Sequence, residues 1–321
     1  MNFNLLLDNL TNPALLFFVL GVFAVYVKSD LEIPANSSKF ISLYLLFAIG
    51  FKGGQELSHE TFTTEIGWSI LFGISIAALI PVYAFFILRK KLNVFDAGAI
   101  AAAYGSVSAV TFVTAVSYLE SQQLTLHGHM VAIMALMESP AIIIGLVLIS
   151  IYNKDKAVKK IKIPEVIKHS LTNGSVLLIL GSLVIGFLAN AKQAEGIKPF
   201  TNDLFKGFLA IFLLDMGITS GKKLKSFFSF GAFPFIFAIV IPLFNGSLVA
   251  MLSSLVTDDV TNRFMFAVLA ASASYIAVPA AMKITVPQAN PGLYLPMALA
   301  ITFPVNITIG MPLYFFIVQN I

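Results

Sequence analysis

Two short segments of the sequence carry the hydroxyl groups and small residues that a buried anion site needs. They comprise Gly105, Ser106, Val107, Ser108 and Thr111 in one half of the chain and Ser272, Ala273, Ser274 and Tyr275 in the other. Proline removes a backbone donor and clashes with the preceding turn, so we expect a helix to break just before Pro279. Gly105 offers the first segment a matching point of backbone freedom. These nine residues form the predicted substrate site.

Broken helices explain why such segments would attract an anion. A helix that begins inside the membrane leaves its first N–H groups without intrahelical acceptors, and its dipole places about half a positive charge there. If the two breaks face each other near the membrane midplane, the half-helix ends and the hydroxyls together favour a small anion. The alternative is that small residues only let neighbouring helices pack closely.

Two carboxylates lie within otherwise apolar stretches, where an ionised side chain costs roughly 2.5 to 3.5 kcal/mol on insertion scales. Glu138 precedes Pro140, a further potential helix break, and we predict that it binds a coupling sodium ion or carries a coupling proton. The neutral ligands predicted for this ion are Ser108, Ser274, Thr302 and Asn306. A protonated Glu138, or one hydrogen-bonded to a neighbouring serine, is the alternative. Asp215 lies nearer the end of its stretch, and we expect it to be partly hydrated.

The remaining motifs indicate no catalytic centre. His127 and His129 stand two residues apart and His59 and His169 are isolated, so we expect solvated loop histidines rather than a metal site. The sequence has no HExxH, Walker A or GxSxG pattern and no cysteine. We therefore expect a protein that is not an enzyme and has no cofactor, apart from sodium if that ion is coupled.

Membrane-spanning helices are the elements that must position these residues. Of 321 residues, 58% are hydrophobic and 11% are charged, against roughly 25% charged in a soluble domain. The net charge of +4 equals the excess of lysine over acidic residues between positions 153 and 169. The rest of the chain is therefore neutral, and we expect no basic surface for nucleic acid.

Ten charge-poor stretches predict ten transmembrane helices, because about 20 apolar residues cross the hydrocarbon layer. They are 13–27, 40–51, 67–88, 97–119, 130–152, 170–191, 207–221, 231–256, 264–282 and 294–318. We expect an all-α polytopic membrane protein with a five-helix repeat at 1–152, a basic linker at 153–172 and a second repeat at 173–321. Spans four and nine are the interrupted helices.

The distribution of basic residues predicts the orientation, because lysine and arginine accumulate in cytoplasmic loops. Fifteen of the 20 basic residues fall on the side of the loops that follow the odd-numbered spans, which we call the odd-numbered loops. We therefore expect a protein of the cell (inner) membrane with both termini outside and the loop 153–169 in the cytoplasm. The lysines of that loop could also bind anionic membrane lipid.

The two halves of the chain resemble each other. Parts of spans two, four and five recur in spans seven, nine and ten at offsets of 163 to 167 residues, as with Ser106 and Ser272. Because each half has an odd number of spans, the second half enters from the opposite face. The result is an inverted repeat, which is common among secondary transporters. A duplication in a protein that does not transport is the alternative.

These motifs resemble those of the sodium-dependent bicarbonate transporter family, best known from cyanobacteria. The resemblance covers nearly the whole chain, most specifically IGFKGG at 49–54, GSVS at 105–108, MESP at 137–140, AAS at 270–272 and PQANPGLY at 287–294. It implies a homotrimer of ten-helix protomers. Each protomer would pair a gate domain with a core domain that carries bicarbonate and sodium between the two interrupted helices.

Three residues depart from the family pattern. Tyr275 stands where the cyanobacterial members have an aspartate, Ala277 replaces a serine, and Glu138 is one methylene longer than an aspartate. The first change removes a sodium ligand or a balancing negative charge. The linker is also shorter than in those members, so the PII-like regulator known in the family is not carried over.

We predict a secondary active transporter that imports bicarbonate or a similar small monoanion, coupled to sodium. The alternatives are an anion channel and a carrier of another small carboxylate or oxyanion that is coupled to protons. A membrane receptor that binds a partner through the lysine-rich loop is the weakest of the hypotheses.

Overall fold

The computed structural model describes residues 11–153, 168 and 172–321. In this part of the chain the structure consists of helices and short connections, without a strand, as the composition predicts. Most lysines of the basic tract, His169 and the first residues of the sixth predicted span lie outside the described residues.

The first half of the described chain contains six helices. They are α1 (Pro13–Tyr26), α2 (Ala35–His59), α3 (Thr64–Leu88), α4 (Val94–Gly105), α5 (Ala109–Ser121) and α6 (Gly128–Tyr152). Asparagine begins two of them: the Asn12 side chain accepts from the Ala14 N–H and the Asn93 side chain from the Asp96 N–H, both at 2.9 Å. Such caps satisfy N–H groups that have no acceptor within the helix.

The second half contains seven helices. They are α7 (Gly174–Leu188), α8 (Ala191–Lys198), α9 (Phe205–Phe227), α10 (Ala232–Leu252), α11 (Val260–Ala271), α12 (Ala277–Thr285) and α13 (Pro291–Asn320). Two stretches of α13, Met297–Thr302 and Asn306–Gly310, are π-helical. They lie on either side of Pro304, where a helix cannot keep its regular hydrogen bonds.

Within the described residues, each predicted span overlaps a helix or a pair of consecutive helices. Six segments of the described chain are long and apolar enough to cross a membrane: Thr64–Leu88, Val94–Ser121, Gly128–Tyr152, Ala191–Leu224, Ala232–Leu255 and Pro291–Asn320. Three shorter apolar helices are α1, α7 and α11. The protein is therefore a polytopic helical membrane protein.

The helices that contain predicted spans two and seven are longer than those spans, because both continue past charged residues. On α2, Lys52 Nζ lies 2.5 Å from Glu120 Oε1, and the Gln55 side chain donates to the Ala189 carbonyl at 2.8 Å. On α9, Asp215 lies inside the predicted span and accepts a hydrogen bond from Ser38. Polar side chains with such partners do not require the helix to end.

Glycines allow helices to pack very closely in two pairs. α1 packs along α9 and α2 along α7, and these two pairs make the most extensive helix contacts of the described chain. A Cβ atom at Gly217 would lie 2.1 Å from the Phe18 carbonyl oxygen, and one at Gly54 would lie 2.1 Å from that of Leu183. We call α1, α2, α7 and α9 the gate bundle. α3 to α6 and α10 to α13 form the core bundle.

Substitution of Gly186 tests this packing. In Gly186→Ala the added methyl group would lie 2.2 Å from the Phe51 carbonyl oxygen, and we expect a loss of about 1–3 kcal/mol of stability from overpacking. Gly181 lies on the same helix and has no atom within 4 Å of its Cβ position, so Gly181→Ala should be neutral or slightly stabilising. Thermal unfolding in detergent measures both. Equal melting temperatures for the two variants would contradict the close approach.

Candidate functional site

Spans four and nine are both interrupted where the sequence predicts. α4 ends at Gly105 and α5 begins at Ala109, while α11 ends at Ala271 and α12 begins at Ala277. Pro279 is the third residue of α12, within the first turn, where a helix needs no N–H donor. The expected break before this proline is confirmed.

The reason for glycine at position 105 differs from the expectation. Among the described glycines, only Gly231 has a positive φ angle, so Gly105 is not needed for backbone freedom. A Cβ atom at Gly105 would lie 2.2 Å from Cγ of Pro81 in α3. The glycine therefore provides space for the proline of the neighbouring helix.

The two interruptions lie against each other. The Ser108 N–H donates to Ser272 Oγ at 3.1 Å, and the Ser274 N–H donates to the Ala103 carbonyl at 2.8 Å. Ser272 Oγ in turn donates to the Leu269 carbonyl at 2.9 Å. Backbone groups freed by one broken helix are thus satisfied by the other. We call this arrangement the crossing.

Serine side chains cap the half-helices that start at the crossing. Ser108 Oγ accepts from the Thr111 N–H at 3.1 Å, and Ser274 Oγ accepts from the Val278 N–H at 3.3 Å. The N–H groups of Ala109 and Val110 have no acceptor within α5. The positive ends of α5 and α12 therefore meet at the crossing, together with the negative ends of α4 and α11.

Buried polar atoms without partners lie at the crossing. Ser106 Oγ is buried and has no hydrogen-bond partner among the described residues, and the buried hydroxyl of Tyr275 makes no hydrogen bond of good geometry there. Val107 and Ala273 are buried beside them. A bound oxyanion would supply acceptors for these hydroxyls.

A cavity of about 440 Å³ leads to the crossing from the gate bundle. Its lining includes Ser38 and Lys39 of α2, Asp215 and Lys222 of α9, and Tyr275. Asp215 is only 7% exposed and accepts the hydrogen bond from Ser38. The cavity gives this carboxylate access to water, and its partial hydration stays a prediction.

Glu138 lies inside α6, which continues through Pro140 without the expected break. Its side chain is 9% exposed, and its Oε1 atom has no hydrogen-bond partner among the described residues. No described contact joins it to Ser108 or Ser274. A buried carboxylate without a partner is costly, which favours a bound cation or a proton on this group.

The side chains of Thr302 and Asn306 make hydrogen bonds to neighbouring helices beside the crossing. Thr302 Oγ1 donates to the Ala238 carbonyl at 2.7 Å and contacts the Tyr104 hydroxyl at 2.7 Å. Asn306 donates to the Ala271 carbonyl at 2.7 Å, where α11 ends. The structure brings both residues to the interruptions, but their polar groups hold helices there.

Two tyrosines that sequence reasoning missed support these positions. Tyr104 holds Thr302, and the Tyr314 hydroxyl donates to Asn306 Oδ1 at 3.0 Å. Tyr104 directly precedes the Gly105 motif, and Tyr314 lies two helical turns after Asn306. These positions relative to Gly105 and Asn306 are the sequence features that could have indicated the two tyrosines.

The expectation of solvated histidines is wrong for His129. This residue is 6% exposed, and its Nδ1 lies 2.7 Å from Glu60 Oε2. The half-buried His127 contacts both Glu60 and Asp259. His59 is exposed, as expected.

Comparison with known proteins identifies the family of the chain. Residues 13–319 match the family model of the Na⁺-dependent bicarbonate transporter superfamily. No curated protein gives a significant match to the chain. The match covers the gate bundle, the core bundle and both interruptions, and it indicates a transporter rather than an enzyme. The chain belongs to the Na⁺-dependent bicarbonate transporter superfamily.

Proposed function

We propose that this protein imports bicarbonate by sodium-coupled alternating access, with the anion bound at the crossing. The observation that carries the proposal is the contact between two interrupted helices, made by Ser108 with Ser272 and by Ser274 with Ala103. Two positive half-helix ends converge there beside the unpartnered hydroxyl of Ser106.

The chemistry of the crossing suits a small monoanion. Residues 103–111 and 269–279 contain no lysine or arginine, so the attraction comes from N–H groups and helix dipoles. Bicarbonate offers three oxygens as acceptors and one O–H donor, which matches the mixture of N–H groups, hydroxyls and helix-end carbonyls. Because no full cation holds the anion, release on the second side is not opposed by a strong ion pair.

Sodium is proposed to bind near Glu138 and the carbonyl ends of α4 and α11. Glu138 supplies the negative charge, and oxygen ligands are the ones that a hard cation prefers. Ser108, Ser274, Thr302 and Asn306 remain the proposed neutral ligands. Since Tyr275 replaces the family aspartate, proton coupling through Glu138 is the second candidate.

An inverted repeat with ten crossings of the membrane is proposed to drive the transport cycle. In support, the first helix of each half packs on the second helical span of the other half, α1 on α9 and α7 on α2, with close glycine contacts in both pairs. Exchange of conformation between the halves would move the core bundle past the gate bundle.

The proposed orientation makes the present state open to the cytoplasm. The cavity that reaches Tyr275 includes Glu32 and Ile33 of the α1–α2 connection, on the side of the odd-numbered loops. On the opposite side, Glu120 of the core bundle pairs with Lys52 and Lys206 of the gate bundle. These ion pairs would break when the site opens to the outside.

The assembly in the membrane is also a proposal. We place the protein in the cell (inner) membrane as a homotrimer, whose exposed apolar side chains on α1 and α7 would face lipid or neighbouring copies. The lysines at 153–169 would contact anionic lipid, and any PII-like regulator would act there.

Uptake into proteoliposomes tests the substrate and the coupling. Radiolabelled bicarbonate should accumulate when an inward sodium gradient is imposed, and accumulation should fall to the passive level without the gradient. Conductance measurements in planar bilayers distinguish a channel from a carrier, because the ion flux through a channel far exceeds the turnover rate of a carrier. Uptake no greater than in empty liposomes, with or without sodium, would overturn the bicarbonate assignment.

Replacement of Glu138 tests its coupling role. Glu138→Gln should lower gradient-driven uptake about tenfold or more, because the neutral amide removes the negative charge proposed to hold the ion. Because it removes an unpartnered buried carboxylate, it should leave thermal stability unchanged or raised. Glu65→Gln, at an exposed position in α3, is the matched control. Unchanged sodium dependence in Glu138→Gln contradicts the role.

Cysteine labelling tests the orientation, because the chain has no native cysteine. Ser29 and Ser58 are both exposed and lie beyond opposite ends of the membrane-crossing part of α2. Ser58→Cys should react with an impermeant maleimide in intact cells, whereas Ser29→Cys should react only after permeabilisation. The reverse pattern would invert the topology.

A further inference from the structure

Three loops of distant sequence meet in a cluster of carboxylate and imidazole groups. Glu60 follows the end of α2, His127 and His129 stand at the start of α6, and Asp259 precedes α11. One donor atom from each of Glu60, His127 and His129 lies within 4.8 Å of the others. This cluster takes no part in the function proposed above.

The spacing of the donor atoms suits a tetrahedral metal ion. Zinc bonds of about 2.0–2.2 Å place neighbouring ligand atoms roughly 3.4 Å apart. In the cluster, Glu60 Oε2 lies 2.7 Å from His129 Nδ1, and Glu60 Oε1 lies 3.8 Å from His127 Nδ1. Small side-chain shifts would bring both imidazoles and the carboxylate onto one ion, with a water as fourth ligand.

A further carboxylate orients one of the imidazoles. Asp259 Oδ2 lies 3.5 Å from Nε2 of His127, which leaves Nδ1 of the same ring facing Glu60. A carboxylate behind a metal-binding histidine is the usual support for such a ligand. Asp259 itself is fixed because its Oδ1 accepts from the Asn262 N–H at 2.7 Å.

A backbone contact also holds Glu60 at the cluster. Its Oε1 accepts from the Gly128 N–H at 2.6 Å. The carboxylate is therefore fixed at the start of α6, beside both histidines.

We propose that Glu60, His127 and His129 form a site for a zinc-type divalent cation that clamps the gate bundle to the core bundle. Glu60 belongs to the gate bundle, whereas both histidines belong to the core bundle. The bundles touch closely here, since a Cβ atom at Gly128 would lie 2.1 Å from the Gly53 carbonyl oxygen. A bound ion would add bonds that must break when the bundles slide. The clamp, unlike the site, rests on the proposed transport function.

Calorimetric titration of the purified full chain with zinc tests the site, at mildly alkaline pH to limit competition by protons. The wild type should bind one zinc ion per chain. His127 is half-exposed, so His127→Gln should fold, and it should bind zinc at least about tenfold more weakly. Asp259→Asn keeps a good helix cap and should weaken binding by about tenfold. His59→Gln, at the exposed histidine outside the cluster, should bind as the wild type does.

Absence of zinc binding by the wild type overturns the site, and so does equal binding by His127→Gln. For the clamp, external zinc should inhibit bicarbonate uptake by the wild type and by His59→Gln, but not by His127→Gln. If zinc binds and uptake continues at the same rate, the clamp is wrong and the site stands. If no uptake occurs under any condition, the proposed function and the clamp both fail, while calorimetry still decides the site.

Discussion

The structure depends on the need to satisfy backbone groups where two helices break inside an apolar bundle. An unpaired N–H or carbonyl in such surroundings costs several kcal/mol. The crossing meets this need by pairing the breaks with each other, through Ser108 with Ser272 and Ser274 with Ala103. Asn306 satisfies the Ala271 carbonyl in the same way. Neither break is stable without the other, so the two halves of the chain must fold into one unit around this point.

Contacts within and between the bundles differ in kind. Within the gate bundle, backbone approaches backbone at Gly217 and Gly54, and such contacts tolerate no sliding. Between the bundles, the partly exposed pair of Lys52 with Glu120 contributes little stability and can be exchanged. Gly128 of the core bundle also approaches the Gly53 carbonyl of the gate bundle closely, so the proposed sliding of the bundles must separate this backbone contact.

The sequence predicts the helices and both breaks well, because apolar runs and Pro279 act locally. It does not predict the ends of α2, since Lys52 is satisfied by Glu120, which lies 68 residues away. Nor does it predict the continuity of α6 through Pro140, which depends on packing. The contact of His129 with Glu60 joins loops that are distant in sequence, and no local pattern signals it. Binding roles at the crossing stay predictions.

The two interruptions differ in length, which has a consequence for the empty carrier. The first spans the three residues between Gly105 and Ala109, and the second spans the five between Ala271 and Ala277. In the proposed mechanism, two identical halves would give inward-facing and outward-facing states of equal free energy. Unequal halves would give the two states different free energies, so the proposed mechanism implies that the unloaded protein rests preferentially on one side. A preference of ~1.4 kcal/mol would already hold about nine molecules in ten on that side.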